Sequence, residues 1–295
     1  MHSVGAPVPG PYETVLVDRP NEGVARILLN RPARRNAINV QMMLDLETAF
    51  RQFEHDPDVR VVVLGATGDS FSSGHELDRT PALDAEWEAR RATSEGRYLV
   101  EEELYYSKSL YLRDYPKPTI AVVHGPAVAA GWTLASVCDL VVASSKARFQ
   151  NPMCRMAASG PFLLVEPWDL NVRKAKELLF TGDWLSAQEA RDFGFVNQIF
   201  SDDALEAESL KLASRIAEMP AWAVRLVKRS LNNVLDQMGQ RTSWEHQFVV
   251  RQLGHASTER GELLGKLKKE KSVRGFINAR DKKFGKVPDD GSRKS

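Results

Sequence analysis

"KPTIAVVHGPAVAAGWTLASVCDLVVAS", Lys117 to Ser144, passes from an apolar β-branched run through a turn of small residues into a helical pattern and back to an apolar run. Strand, helix, strand in so short a span implies parallel strands joined by a crossover, hence an α/β fold. Within it, "HGPAVAAGWTL" (His124–Leu134) holds five Ala or Gly residues where the helix should begin. Small residues at a strand-to-helix junction permit close approach by a ligand or by another piece of backbone, and the first helical turn offers free N–H groups.

The same alternation extends towards the N-terminus. "ETVLVD" and "VARILLN" read as strands joined through the turn-like "RPNEG". "INVQMMLDLETAFRQFEH" places Met43, Leu46, Ala49, Phe50 and Phe53 on helical spacing, and "VRVVVLGA" is a buried-strand run. Residues 85–114 form a charged helical stretch containing "EEELYYSKSLYL". Beyond residue 171 strands nearly stop. "NVRKAKELLFTG" is a helix ending at Gly182, Ser186 and Glu189 form a capping box, Pro220 opens another helix, and two or three more fill 222–274. The expected organisation is a loose arm over 1–11, an α/β core over 12–200, a helical C-terminal region over 201–285 and a frayed tail over 286–295.

The hydrophobic content of 43% suits a sizeable core. No apolar stretch approaches 18 residues and the first residues lack a signal-peptide layout, so a cytoplasmic protein without a membrane partner is expected. Cys138 and Cys154 adjoin apolar segments without metal-ligand spacing, and read as two buried thiols. The net charge of +1 argues against nucleic-acid binding by the whole surface. Residues 260–295 nevertheless hold 12 Lys or Arg against 5 Asp or Glu, either for phosphates on a ligand or as a solvated tail.

No G-x-x-x-x-G-K-[ST], no G-x-G-x-x-G after a strand and no G-x-S-x-G occurs, which argues against phosphate-cradle, dinucleotide and nucleophile-elbow readings. Two uses remain for the small residues: an oxyanion hole made of main-chain donors, or tight helix–strand packing. "GDSFSSGHELD" follows the strand "VRVVVLGA" and repeats the device, with a Ser-Ser-Gly turn at a strand's carboxyl end, where open α/β sheets bind ligands. Two such turns can converge on one oxygen.

"LNRPARRNAIN", "FSSGHELD", "KPTIAVVHGPAVAAGWTLASVCDLVVAS", "ARFQNP" and "RKAKELLFTGDWLSAQEARDFGFVNQI" occur in one order, and together the sequence resembles the crotonase superfamily, the enoyl-CoA hydratase/isomerase family, over roughly residues 13–285. The resemblance implies a spiral of ββα units with a helical trimerisation region, homotrimers or hexamers, and an acyl-CoA thioester as ligand, with CoA part of the substrate rather than a cofactor and with no metal. It implies oxyanion donors at the main-chain N–H groups of His75 and Ala130, and CoA phosphate partners among Arg31, Arg34, Arg35, Lys282 and Lys283.

At three positions this chain departs from the pattern. Where hydratases of the family carry a glutamate in a Gly-Cys-Glu-Leu-like segment, this chain has Thr133; where the second glutamate follows the proline of "F-x-x-P", it has Met153; where some isomerases and dehalogenases carry an aspartate further on, it has Pro161. A hydroxyl has no useful proton affinity at neutral pH and a thioether none, so a two-glutamate hydration mechanism is not expected. Substitute acids are Glu102 and Glu103, on the helix that covers the acyl pocket in the family, and Glu166 and Asp169, in "VEPWDL". The side chain of His75 is a further substitute if it titrates near neutrality. For Glu102 and Glu103 the competing reading is a solvated helix face; for Trp132 and Trp168, which could wall an aromatic acyl group, it is core packing. Two functions follow: an acyl-CoA enzyme working through a stabilised thioester enolate with a non-standard acid or base, or a non-catalytic acyl-CoA-binding protein.

Overall fold

The computed structural model describes residues 6–77, 81–267, 269–270 and 272–284. The expected tail, the first five residues of the arm and the Lys283 side chain lie outside the described residues. Among the described residues ten strands run β1 (Ala6–Pro7), β2 (Val15–Asn21), β3 (Gly23–Leu29), β4 (Val59–Ala66), β5 (Thr119–Val123), β6 (Pro126–Val128), β7 (Leu140–Ser144), β8 (Arg148–Gln150), β9 (Trp184–Ser186) and β10 (Gln198–Phe200). The larger sheet has the order β1-β2-β3-β4-β5-β7-β10, parallel from β3 onward, and the smaller has the order β6-β8-β9. The arm is not wholly loose, because Ala6 and Pro7 pair with Arg19 and Asp18 of β2. The strands also run further into "RPNEG" than the turn residues suggest, leaving Glu22 alone between β2 and β3.

The continuous apolar run of β4 is explained by burial on both faces. Val62 and Leu64 face the main core, which contains Met43, Leu46, Phe50 and Phe53 of helix α1 (Val40–Glu54). Val61 and Val63 face the other side, under Leu205, Leu210 and Ala213. Asn39 caps α1 by accepting the Met42 N–H at 3.0 Å. The long covering stretch is α2 (Pro81–Arg90), α3 (Ser94–Glu101), a π-helical turn over Glu102–Tyr106, and α4 (Ser107–Arg113). Helix α5 (Ala130–Ser136) crosses between β6 and β7, and the one-turn α6 (Glu166–Asp169) precedes α7 (Val172–Thr181). Gly182, in the left-handed region, ends α7, and the Ser186–Glu189 capping box opens α8 (Ala187–Asp192). Helix α9 (Leu205–Ala217) covers the second sheet face. Then come the helix that Pro220 opens, α10 (Ala221–Gln237), and three more among the described residues: α11 (Gln240–His255), α12 (Thr258–Leu267) and α13 (Val273–Asp281). No helix among the described residues is long and apolar enough to cross a membrane.

Candidate active site

The two small-residue turns are stitched to each other by main-chain hydrogen bonds. Ser72 N–H donates to Pro126 O at 3.1 Å and Val128 N–H to Ser72 O at 2.9 Å. Next to them, Ile38 N–H donates to Gly74 O at 2.8 Å and Glu76 N–H to Ile38 O at 3.0 Å, a parallel bridge that turns the intervening His75 N–H away from Ile38. Ala130 is the first residue of α5, so its N–H has no partner within the helix. A Cβ added to Gly74, which sits at φ +83°, would lie 3.5 Å from Ala130 N and 2.7 Å from Val128 O. The turn carrying His75 therefore touches the turn carrying Ala130, and only a glycine fits between them.

The packing use of small residues is also present. Cβ atoms on Gly125 and Gly131 would meet Asp69 O at 2.3 Å and Ser72 O at 2.7 Å, so both are required for backbone contact. Ala129 stands between the two uses. Its φ of 50° and ψ of −112° are strained for a residue with a Cβ, and its N–H donates to Gln150 O at 2.8 Å. Such a conformation costs about 1–3 kcal/mol and persists only where the surroundings hold it.

The imidazole of His75 does not titrate near neutrality. Burial, and then the positive charge of Arg251, push it down to about 3, so the ring is neutral across the physiological range. Its ring centroid lies 4.2 Å from that of Tyr105 and 5.0 Å from that of Phe162.

Of the acids on the covering helices, Glu103 is 52% exposed and pairs with Arg90 at 2.6 Å, and Glu102 accepts the Tyr98 hydroxyl at 3.4 Å. Neither is turned into the core. The buried member of the run is Glu101, 1% exposed, which the sequence reading passed over. It receives Arg91 and His255 at 3.2 Å, Gln252 at 3.0 Å and Arg251 at 3.4 Å. These partners hold its carboxyl well below the usual carboxylate range despite burial. One signal was available: Val100 and Leu104 flank it on the helix and are fully buried.

The inward-facing acids are on α6. Glu166 is buried, with Oε1 accepting the Asn151 amide at 2.5 Å and Oε2 without a hydrogen-bond partner. Half-buried Asp169 accepts the Ser136 hydroxyl at 2.6 Å. Burial pushes Glu166 up to about 7 and Asp169 up to about 8, the second helped by the neighbouring Glu166. Both are joined to the small-residue turns, because Asn151 follows the Gln150 whose carbonyl holds Ala129, and Ser136 ends α5. Trp132, 1% exposed, packs against Phe149 and Phe195 as a core residue, and half-buried Trp168 packs against the same core.

These raised carboxyls set a pH dependence of stability. A carboxyl whose folded pKa lies above its unfolded value stabilises the fold while neutral, and that contribution is lost as pH rises through the folded pKa. Between pH 6.5 and 8.5 Glu166 and then Asp169 ionise, for a loss of about 3 kcal/mol. Below pH 6.5 the depressed His75 acts in the opposite sense. Thermal unfolding should therefore give a lower Tm at pH 8.5 than at pH 6.5, and the double variant Glu166→Gln/Asp169→Asn should remove that fall. An unchanged fall in the variant would assign it to other groups.

Thr133 is buried, its hydroxyl 3.4 Å from Ala129 O, and Met153 is half-buried just before a short 3₁₀ turn. Arg31 is engaged with Glu76 at 2.9 Å and Ala37 O at 2.6 Å, so its guanidinium is a structural clasp rather than a free phosphate partner. Arg34, Arg35 and Lys282 are exposed. Arg35 lines an open groove of about 1000 Å³ along the carboxyl ends of β3, β4 and β5, with Gly68, Ser70 and Gly125. Cys138 is half-buried, but Cys154 is exposed rather than buried, and both thiols are free.

Comparison with known proteins shows the family. Residues 19–286 match the enoyl-CoA hydratase/isomerase family. EchA13 of Mycobacterium tuberculosis, which carries an enoyl-CoA hydratase name, is 38% identical over 86% of this chain and 82% of its own. The 4-chlorobenzoyl coenzyme A dehalogenase-2 of an Arthrobacter species is 30% identical over 79% of this chain and 84% of its own. The crystal structure of an enoyl-CoA hydratase/isomerase from Xanthobacter autotrophicus Py2 superposes with a TM-score of 0.82 at 30% identity, covering 93% of this chain and all of that one. An α/β core with a helical C-terminal region, two interlocked small-residue turns and relatives of this extent place the chain in the enoyl-CoA hydratase/isomerase family, with the crotonase fold.

Proposed function

We propose that the chain is an enzyme that moves a proton next to an acyl-CoA thioester, with the main-chain N–H groups of His75 and Ala130 holding the thioester oxygen and Glu166 as acid and base. The observation that carries this reading is the buried Glu166 carboxyl, raised to about 7, with one oxygen unpartnered and the other tied through Asn151 to the donor turn. Abstraction at the α-carbon places enolate charge on the thioester oxygen, and each preorganised donor there is worth about 2.7–4 kcal/mol in the transition state. A group with pKa near the working pH takes and returns a proton with similar ease. Thr133 and Met153 stand where hydratases of the family place their two glutamates, so the proton chemistry passes to α6. Asp169, raised by the same burial, keeps the pair from ionising together.

Arg34 and Arg35, with Lys282 and Lys283, are the proposed partners of the CoA phosphates. A self-partner is proposed for α10. Its Val227 (59% exposed), Leu231, Val234 and Met238, at spacings of four, three and four residues, form one apolar stripe along the helix. A stripe of that length on a soluble protein marks an interface, here the proposed trimer contact of the 201–285 region. Light scattering should find a trimer or hexamer for the native chain and monomers for Leu231→Glu/Val234→Glu; a native monomer would overturn this assignment.

The function is tested in D₂O with a mixed panel of saturated, enoyl, oxo and carboxyacyl-CoA esters, followed by mass spectrometry. Deuterium gained at the α-carbon, a gain of water, loss of CO₂ or chain cleavage supports an enzyme. Binding without exchange or conversion across the panel would favour the second reading, a non-catalytic acyl-CoA-binding protein.

A further inference from the structure

We infer that the His75 side chain is a specificity-determining group that reads an oxygen substituent, hydroxyl or oxo, on the acyl chain beside the thioester; this rests on the acyl-CoA reading above. The imidazole belongs to the same residue whose main-chain N–H is assigned to the thioester oxygen. Covalent geometry therefore keeps the ring within one side-chain length of the first acyl carbons, wherever the rest of the chain runs.

Both ring nitrogens, Nδ1 and Nε2, are buried and have no hydrogen-bond partner among the described residues. Buried polar atoms without partners are rare in folded proteins, and a role in binding or catalysis is one of the few reasons to keep them. The Ile38 main chain lies beside the ring but makes no hydrogen bond of good geometry to it. Tyr105 and Phe162 stand beside it as aromatic walls, stacked on each other with centroids 4.8 Å apart. The Arg251 guanidinium, the charge that acts most strongly on the ring, lies 3.9 Å from the Phe162 centroid and is committed to Gly160 O at 2.7 Å and to Glu101.

The chemistry of the ring selects the class of substituent. A neutral imidazole offers one donor and one acceptor. A hydroxyl can pair with either nitrogen and an oxo group with the N–H, whereas an all-hydrocarbon acyl chain pairs with neither. A carboxylate would meet a neutral ring at the cost of its own desolvation. A site built to hydrogen-bond an oxygen discriminates against the analogue lacking it, because its own polar atoms are left unpaired.

The test is calorimetric binding of three CoA esters of equal chain length, butyryl-CoA, 3-hydroxybutyryl-CoA and acetoacetyl-CoA, to the full chain. The native protein should bind at least one oxygenated ester about tenfold or more tightly than butyryl-CoA. The ratio, not the absolute affinity, should collapse towards one in His75→Phe and be partly kept in His75→Gln, which retains a donor and an acceptor in both protonation regimes. Equal affinities in the native protein, or a preference that survives His75→Phe, would overturn the inference while leaving the acyl-CoA reading standing. Failure of all three esters to bind would overturn both.

Discussion

Glu166→Gln should lower turnover on an acyl-CoA substrate by about 10²–10⁴-fold, the usual worth of a positioned acid or base. The substitution keeps side-chain volume and leaves an oxygen to accept the Asn151 amide, so the fold around α6 is retained. What is lost is the proton that Oε2 exchanges. The native enzyme should show a limb in its pH–rate profile with an apparent pKa near 7, belonging to the Glu166–Asp169 pair, and this limb should vanish in the variant. α-Deuterium incorporation measured by mass spectrometry gives the rate independently of the overall reaction. A Glu166→Gln protein that exchanges at the native rate with the pH limb intact would remove α6 from the chemistry.

The second large effect concerns stability. Glu101→Ala should destabilise the fold by about 3–5 kcal/mol, because it leaves the Arg251 guanidinium buried without its carboxylate. Arg91, Gln252 and His255 lose the same acceptor, and α3 loses its tie to α11. Glu102→Ala and Glu103→Ala are outward-facing and should lie within about 0.5 kcal/mol of the native chain. Urea unfolding of the three variants separates the positions cleanly. Three similar midpoints would mean that the Glu101 network contributes little.

The contrast among these three glutamates shows where sequence reasoning stops. The elements with a physical period were legible: the helical spacing of Met43, Leu46, Ala49, Phe50 and Phe53 puts all five in the core, and the Ser186–Glu189 capping box forms as its spacing requires. The touching turns around Gly74 and Ala130 were also legible, since small residues at strand ends state a backbone requirement. A run of identical charges states none. Which of Glu101, Glu102 and Glu103 points inward depends on the phase of α3 and on its change to a π-helical turn at Glu102, and on partners contributed by α11 some 150 positions away. Cys154 was misjudged for a related reason, since apolar neighbours in sequence do not bury a residue that sits on an exposed 3₁₀ turn. The raised carboxyls of α6 were named in sequence as candidates, but only the enclosure by Asn151 and Ser136 distinguishes them from surface acids.

The donors proposed at His75 and Ala130 are peptide groups, and that has a consequence for descent. A point mutation exchanges side chains and leaves N–H groups in place, so a hole of this kind passes through generations largely untouched while the residues around it are replaced. Thr133, Met153 and Glu166 are on the changeable side of that division. A lineage with such a site can abandon one reaction and acquire another without first losing its grip on the thioester, which makes the ligand the inherited trait and the chemistry the variable one.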